Sequence, residues 1–208
     1  MAQRGRALAF LLGFVILLGT GCDSGGGEGR TGDTGAGDTT TEGTATPRTG
    51  KEELSGGRVE TCSGGSIYLN AKEKKILQLH NRARTERGLE SLCAQPALTE
   101  AARAHSRDMI EKDYFSHTPP GGATLAERLE SHGYTLEGNW KVAENIGWGN
   151  YSYGTPEYVF EGWMDSSSHR PHILDGEFRQ IGVGTHTGIY KGYENATMYT
   201  AEFGVRNQ

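Results

Sequence analysis

The chain has 208 residues, a formal net charge of −5, 35% hydrophobic residues and 32 glycines. This length suits one domain of ordinary size, and many of the glycines fall before residue 66, which marks that stretch as loop or linker. Phosphate recognition needs a concentrated basic face; the densest basic stretch, Lys72-Glu73-Lys74-Lys75, carries an acid inside it, so nucleic acid is excluded as a partner.

Arg4 and Arg6 form a short basic region ahead of an apolar run over residues 7–18. That run falls short of the ~20 residues that cross a bilayer core and suits the apolar segment of a secretory signal. Gly19-Thr20-Gly21 then leads into Cys22. The stretch resembles a lipoprotein signal of the Leu-x-Gly-Cys type, with Gly19 where an aliphatic residue is usual. The resemblance implies a signal peptide at 1–21 and a lipid anchor on Cys22, holding the protein on the extracytoplasmic side of a bacterial membrane. Ordinary secretion, with Cys22 free or paired, is the alternative.

Residues 22–60 are expected to be a disordered tether. Half of positions 23–60 are Gly or Thr, and such a segment cannot bury enough surface to offset chain entropy. Its end-to-end span as a flexible coil is ~35 Å. Export places Cys62 and Cys93 in an oxidising compartment, where an even pair forms a disulfide by default. Two isolated cysteines without CxxC spacing do not suggest a zinc site.

The folded part is expected over 61–208. In 72–87, Ile76, Leu77, His80, Ala83 and Arg84 recur at helical spacing, and Gly88 is a natural stop. A second helix starts at Pro96, a favoured first position, and runs to about 113, with Leu98, Ala101, Ala102, His105, Met109 and Ile110 on its buried face. Thr124 and Glu127 have capping-box spacing for a short helix ending at Gly133. Thr155-Pro156 opens another, with Val159, Phe160 and Trp163 as core residues. Residues 181–190 and 198–205 alternate as strands, with 191–197 as the turn between them. Asn195-Ala196-Thr197 fits a glycosylation sequon and reads as part of that turn. Helices interleaved with a late hairpin give an α/β or α+β layered domain.

These residues resemble a known family. Leu79-His80-Asn81 with Arg84 is similar to the opening motif of CAP domains, the cysteine-rich secretory protein fold. Ala101, His105-Ser106 and Met109, then Tyr114-Phe115-Ser116-His117, resemble the next block. Ala143-Glu144-Asn145-Ile146 matches the (G/A)-E-N-(I/L) motif. Trp163-Met164-Asp165-Ser166, His169-Arg170 and Ile173-Leu174 resemble the bacterial W-M-x-S-x-x-H-R-x-x-I-L form. Ile181-Gly182-Val183-Gly184 and Phe203-Gly204 complete the order. The likeness covers residues 72–206 and implies an α/β, three-layer α-β-α sandwich with a small, mainly antiparallel sheet.

CAP domains are known for a surface cleft holding two histidines and two glutamates. Position by position, the resemblance places His117, His169 and Glu144 in it, with Asn145 beside Glu144. Ser166 stands where the second glutamate is usual, and Asp165 or Glu161 is the proposed substitute. Two neutral imidazoles and a carboxylate suit Zn²⁺ with open positions for water or ligand. The same groups without metal make a hydrogen-bonded cluster in which Glu144 fixes a histidine tautomer. His80 and His105 lie on inward helix faces and are expected to form core hydrogen bonds; His132, His172 and His186 are expected to be exposed.

Ser166-Ser167-Ser168-His169 invites a nucleophile reading, but adjacency in sequence does not build the nucleophile–base contact. No GxSxG elbow or HExxH is present. Three functions follow. The first is a non-enzymatic envelope module binding a lipid, peptide or glycan in the cleft or in a groove between helices. The second is a metal-dependent hydrolase of envelope peptide or glycan, with His117, His169 and Glu144 holding the metal. The third is a docking protein with no pocket ligand. Tyr114, Phe115, Trp140, Trp148, Tyr151 and Tyr153 either stack on a ligand or anchor core and loops.

Overall fold

A computed structural model describes residues 55–207. The expected signal peptide, Cys22 and most of the expected tether lie outside the described residues. In chain order the elements are β1 (Gly57–Glu60), β2 (Ser66–Leu69), α1 (Ala71–Thr85), β3 (Cys93–Ala94), α2 (Pro96–Glu111) and α3 (Leu125–Ser131). They continue with β4 (Asn139–Asn150), a 3₁₀ turn (Tyr151–Gly154), α4 (Pro156–Asp165), α5 (Arg170–Leu174), β5 (Gln180–Tyr190) and β6 (Tyr193–Asn207).

The main sheet has the order β3-β5-β6-β4. Only the β3–β5 pair is parallel, and the others are antiparallel. Strand alternation sends successive side chains to opposite faces. On one face, Tyr199, Ala201 and Phe203 of β6 meet Ile76 of α1, Phe160 and Trp163 of α4 and Ile173 of α5. On the other, Ala196 and Met198 with Ile146 meet Met109 and Ile110 of α2. Leu98 of α2 and Leu129 of α3 close the same face against Val142. The result is the three-layer α-β-α sandwich with a small, mainly antiparallel sheet.

The Ile-Gly-Val-Gly stretch of β5 has a packing origin. Ile181 and Val183 are buried toward α1, while Gly182 and Gly184 let α2 settle onto the sheet. A Cβ at Gly182 would lie 2.1 Å from the Leu98 carbonyl carbon, and one at Gly184 would lie 2.1 Å from the Arg103 nitrogen. The helix starts follow the capping residues. Asn70 and Glu73 form a capping box on α1, and Thr124 and Glu127 form the expected one on α3.

Three differences from the sequence reading have physical reasons. Residues 57–60 belong to the fold and not to the tether: β1 pairs antiparallel with β2, and Val59 packs on the core. The expected hairpin turn over 191–197 shrinks to Lys191-Gly192, both with positive φ, and β6 begins at Tyr193. Asn195 also has positive φ, but Ala196 and Thr197 are buried in the strand. β4 was not expected at all, because its Glu, Asn and Gly residues hide the alternation. The Cys62–Cys93 disulfide is formed and ties the segment after β1 to β3.

Two substitutions test this packing. Gly184→Ala is expected to lower stability by ~1–3 kcal/mol or more, read from urea unfolding; an unchanged midpoint would contradict the close seat of α2. Reducing the disulfide, whose cysteines are 31 residues apart, is expected to cost about 3–4 kcal/mol, and the Cys62→Ser/Cys93→Ser variant should show the same loss.

Candidate functional site

β4 is an edge strand, and the cleft is built across its edge. Glu144 points to the α2–α3 layer and Asn145 to the α5 layer, as strand alternation requires. Each side chain then pins a loop on its own side. His117 comes from the connection between α2 and α3, and its Nδ1 donates to Glu144 Oε1 at 2.7 Å. A carboxylate only accepts, so this bond fixes the His117 proton on Nδ1 and turns Nε2 outward. On the opposite side, Asn145 Nδ2 donates to the His169 carbonyl at 3.1 Å. Asn145 Oδ1 accepts from His172 Nδ1 at 2.9 Å.

Arg128 on α3 is the hub of the α2–α3 side. Its Nη2 donates to Glu144 Oε2 at 2.5 Å and its Nη1 to the His117 carbonyl at 3.1 Å. Its Nε lies 3.4 Å from Glu202 Oε1. His105 Nε2 donates to the Ser116 carbonyl at 3.0 Å and holds the same loop from behind. Glu202 sits directly opposite Glu144 in the β4–β6 register and is wholly buried. Two buried carboxylates therefore share one guanidinium. Burial, reinforced by the neighbouring Glu144 charge, pushes Glu202 well above the ordinary carboxylate range. Its Oε2 has no partner among the described residues.

The histidines shift the other way. Burial pulls His80 down to about 4; its Nδ1 donates to the Ile76 carbonyl at 2.8 Å, and its ring packs among Phe160, Trp163 and Phe203. His105 is lowered by burial too. Both make the expected core hydrogen bonds. His169 is lowered by burial and then by the His117 charge, and His172 by the same two causes.

The structure brings His117, Glu144, Asn145 and His169 to one edge, and adds His172, Arg128 and Glu202. None of His132, His172 and His186 is fully exposed, and His172 belongs to the site. Of the two acids proposed as substitutes for the missing glutamate, Asp165 is exposed and Glu161 lines a groove between α1 and α4. The second buried carboxylate is Glu202, far away in sequence. Arg128 had one signal, an i,i+3 spacing from Leu125 that puts it on the apolar face of α3. Glu202 had another, an acid set between the apolar Ala201 and Phe203.

The expected Zn²⁺ site at His117, His169 and Glu144 does not fit this arrangement. Glu144 has committed both oxygens, one of them to a guanidinium that already supplies the positive charge. Among the described residues no group of three His, Cys, Asp or Glu side chains is placed to hold a metal ion. Ser166 takes the place of a ligand in a different sense: its Oγ lies 2.8 Å from His169 Nδ1. The pairing looks like a nucleophile with a base. The same oxygen, however, accepts from the backbone of Ser168 and His169, the bonds of a local capping turn.

Of the aromatic candidates, Tyr114 is buried, and Trp148 packs against Tyr190 and Tyr193. Phe115, Trp140, Tyr151 and Tyr153 are exposed.

The comparisons agree with this geometry. The model of the cysteine-rich secretory protein family, CAP, matches residues 77–203, so the chain belongs to that family. It is 33% identical over 146 residues to the uncharacterized protein YkwD of Bacillus subtilis (strain 168), covering 70% of this chain and 52% of that protein. An extracellular protein containing an SCP domain from Bacillus anthracis str. Ames superposes with a TM-score of 0.55 at 25% identity, covering 69% of this chain and 47% of that one. An outer surface protein of Borrelia burgdorferi shares the fold, with a TM-score of 0.55 at 18% identity over 73% of this chain and 99% of its own. The chain thus spans about half the length of YkwD and of the Bacillus anthracis protein.

The charge arrangement predicts a pH dependence with two opposed arms. Glu202 keeps a proton that the unfolded chain releases above ~4.3, so its contribution is lost as pH rises through its raised folded value. His80 stays neutral where the unfolded chain binds a proton below ~6.5, so its contribution is lost as pH falls from there toward about 4. Glu202→Gln is expected to gain thermal stability relative to the native chain as pH goes from 5 to 8. An equal difference at both pH values would show that Glu202 is ionised in the fold.

Proposed function

We propose that this protein is an extracytoplasmic, lipid-anchored binding module that holds an envelope lipid, peptide or glycan in the His117–Glu144–His169 cleft without chemistry on it. The observation that carries the reading is the commitment of Glu144, whose oxygens accept from Arg128 and His117. A general base needs a lone pair aimed at the proton it removes, and each oxygen of this carboxylate already holds a fixed donor that sets its orientation. The cleft is a braced shape with imidazole edges turned outward, which suits recognition through neutral hydrogen bonds and stacking.

The location rests on three supports. The disulfide suits an oxidising compartment. The similar Bacillus anthracis protein is extracellular. The signal-like N-terminus ends at Cys22, the acceptor proposed for the lipid that holds the domain at a bacterial membrane. A groove of about 260 Å³ between α1 and α4, with Leu79, Ala83 and Phe160 at its base, is an additional place for an acyl chain.

The test is retention. The oxidised protein is offered vesicles of the producing cell's own lipid extract and, separately, a solubilised cell-wall digest and its peptide fraction. One class is expected to be retained, and the His117→Ala/His169→Ala variant should lose at least ~10-fold in affinity. No retention of any class, or equal retention by the variant, would overturn the cleft as a binding site. Zn²⁺ added to chelator-stripped protein is expected to leave the unfolding midpoint unchanged. A midpoint rising with the logarithm of free metal, and flat in the double variant, would restore the metal reading.

A further inference from the structure

We propose that the open part of the β4 edge, Asn139 to Ala143, receives an extended peptide as an added strand. This deepens the cleft reading above and rests on it, naming a polypeptide segment as the ligand class.

The direction of the β4 backbone can be worked out from the sheet. Arg179, which precedes β5, donates its backbone N–H to the Gly204 carbonyl at 3.3 Å, so the Gly204 main chain faces β5. Antiparallel strands alternate this direction residue by residue. Phe203 and Ala201 therefore face β4, and their partners Ala143 and Asn145 face back. The main-chain groups of Val142, Glu144 and Ile146 then point out of the sheet. An independent contact agrees: the Ile146 carbonyl accepts from Trp163 Nε1 of α4 at 2.9 Å.

From Ile146 onward the chain covers its own edge, first with Trp163 and then with the 3₁₀ turn. The cover there is close enough that a Cβ on Gly149 would lie 2.0 Å from the Tyr153 carbonyl oxygen. The cover reaches back over Glu144 and Asn145, which are buried, and stops before them. Asn139, Trp140 and Lys141 are exposed, and Val142 and Ala143 are half-buried. Proteins blunt such edges with proline, bulges or edge lysines. Here β4 has no proline, its register with β6 runs unbroken from Asn139 to Asn150, and the Lys141 ammonium is drawn aside to Asp175 and Glu177.

Strand addition matches main-chain donors and acceptors on alternate residues and reads side chains in flanking pockets. Trp140 and Val142, both outward by the same alternation, supply that spacing. The loops carrying His117 and His169 reach Glu144 and Asn145 from opposite faces of the sheet and bound the open stretch at one end. At the other end lies a pocket of about 440 Å³ lined by Trp140, Lys141, Arg179, Gln180 and Arg206 among others. Glu177 lines it too, Arg179 is paired with Glu90, and Arg206 donates to the Thr135 carbonyl, so this end of the site offers mixed polar contacts to the peptide.

The test reads backbone pairing directly. Heptapeptides are selected on the oxidised protein from a random display library, and the best binder is resynthesised with single N-methyl groups at each position in turn. Methylation at alternate positions is expected to weaken binding about tenfold or more, and at the intervening positions to leave it unchanged. Val142→Pro, which removes an outward N–H and leaves the ladder to β6 intact, is expected to weaken the same peptide. No binder, or no alternation along the methyl series, overturns the added strand. A binder lost in His117→Ala/His169→Ala but blind to methyl position overturns the strand while leaving the cleft standing. Concentration-dependent dimers that Val142→Pro abolishes would assign the edge to a second copy of the chain and overturn the peptide.

Discussion

A strand must turn neighbouring side chains to opposite faces, and the cleft depends on that constraint acting at the edge of a sheet. Glu144 and Asn145 are consecutive, yet one is held in the α2–α3 layer and the other in the α5 layer. A single dipeptide thereby fixes two loops that have no other reason to meet. In a central strand the same pair would be walled off on both sides. On β4 the two loops meet the sheet at its edge, one from each face. A one-residue slip of β4 against β6 would exchange the two side chains between layers, removing the Arg128 contact and the His172 contact together.

The ion pair beneath the cleft is poised in charge. Arg128 faces Glu144 and Glu202, and both acids are buried. Taking one partner away from such a pair leaves an uncompensated buried charge, a loss of ~3–5 kcal/mol. Burial and the neighbouring Glu144 charge push the second acid well above the ordinary carboxylate range. The chain thus holds two carboxyl groups on one guanidinium and positions the His117 imidazole through them.

Much of this was legible in the sequence, and the misses share one cause. α1 and α2 announce themselves because Ile76, His80 and Ala83, or Leu98, Ala101, His105 and Met109, repeat on one face. His117, Glu144 and His169 were found through motif order. β4 was invisible because an edge strand that carries a buried Glu and a buried Asn, then Gly147 and Gly149, has no alternation to read. Arg128, His172 and Glu202 were missed because their role exists only in space: Glu202 meets Glu144 through a register that joins residues 58 positions apart. The misplaced turn at 191–197 has a local origin, since Asn195 takes a turn-like φ inside a continuous strand.

The disulfide has a mechanical consequence. The chain enters the domain through β1, and Cys62 fastens that entry to β3 through Cys93. β3 and β4 are opposite edges of the four-stranded sheet, ~14 Å apart at ordinary strand spacing. A pull arriving along the N-terminal segment is therefore taken up covalently at β3 and shared among the ladders of β5 and β6. The β4 edge lies off this load path. A load on the domain's entry would thus leave the shape of the far edge unchanged.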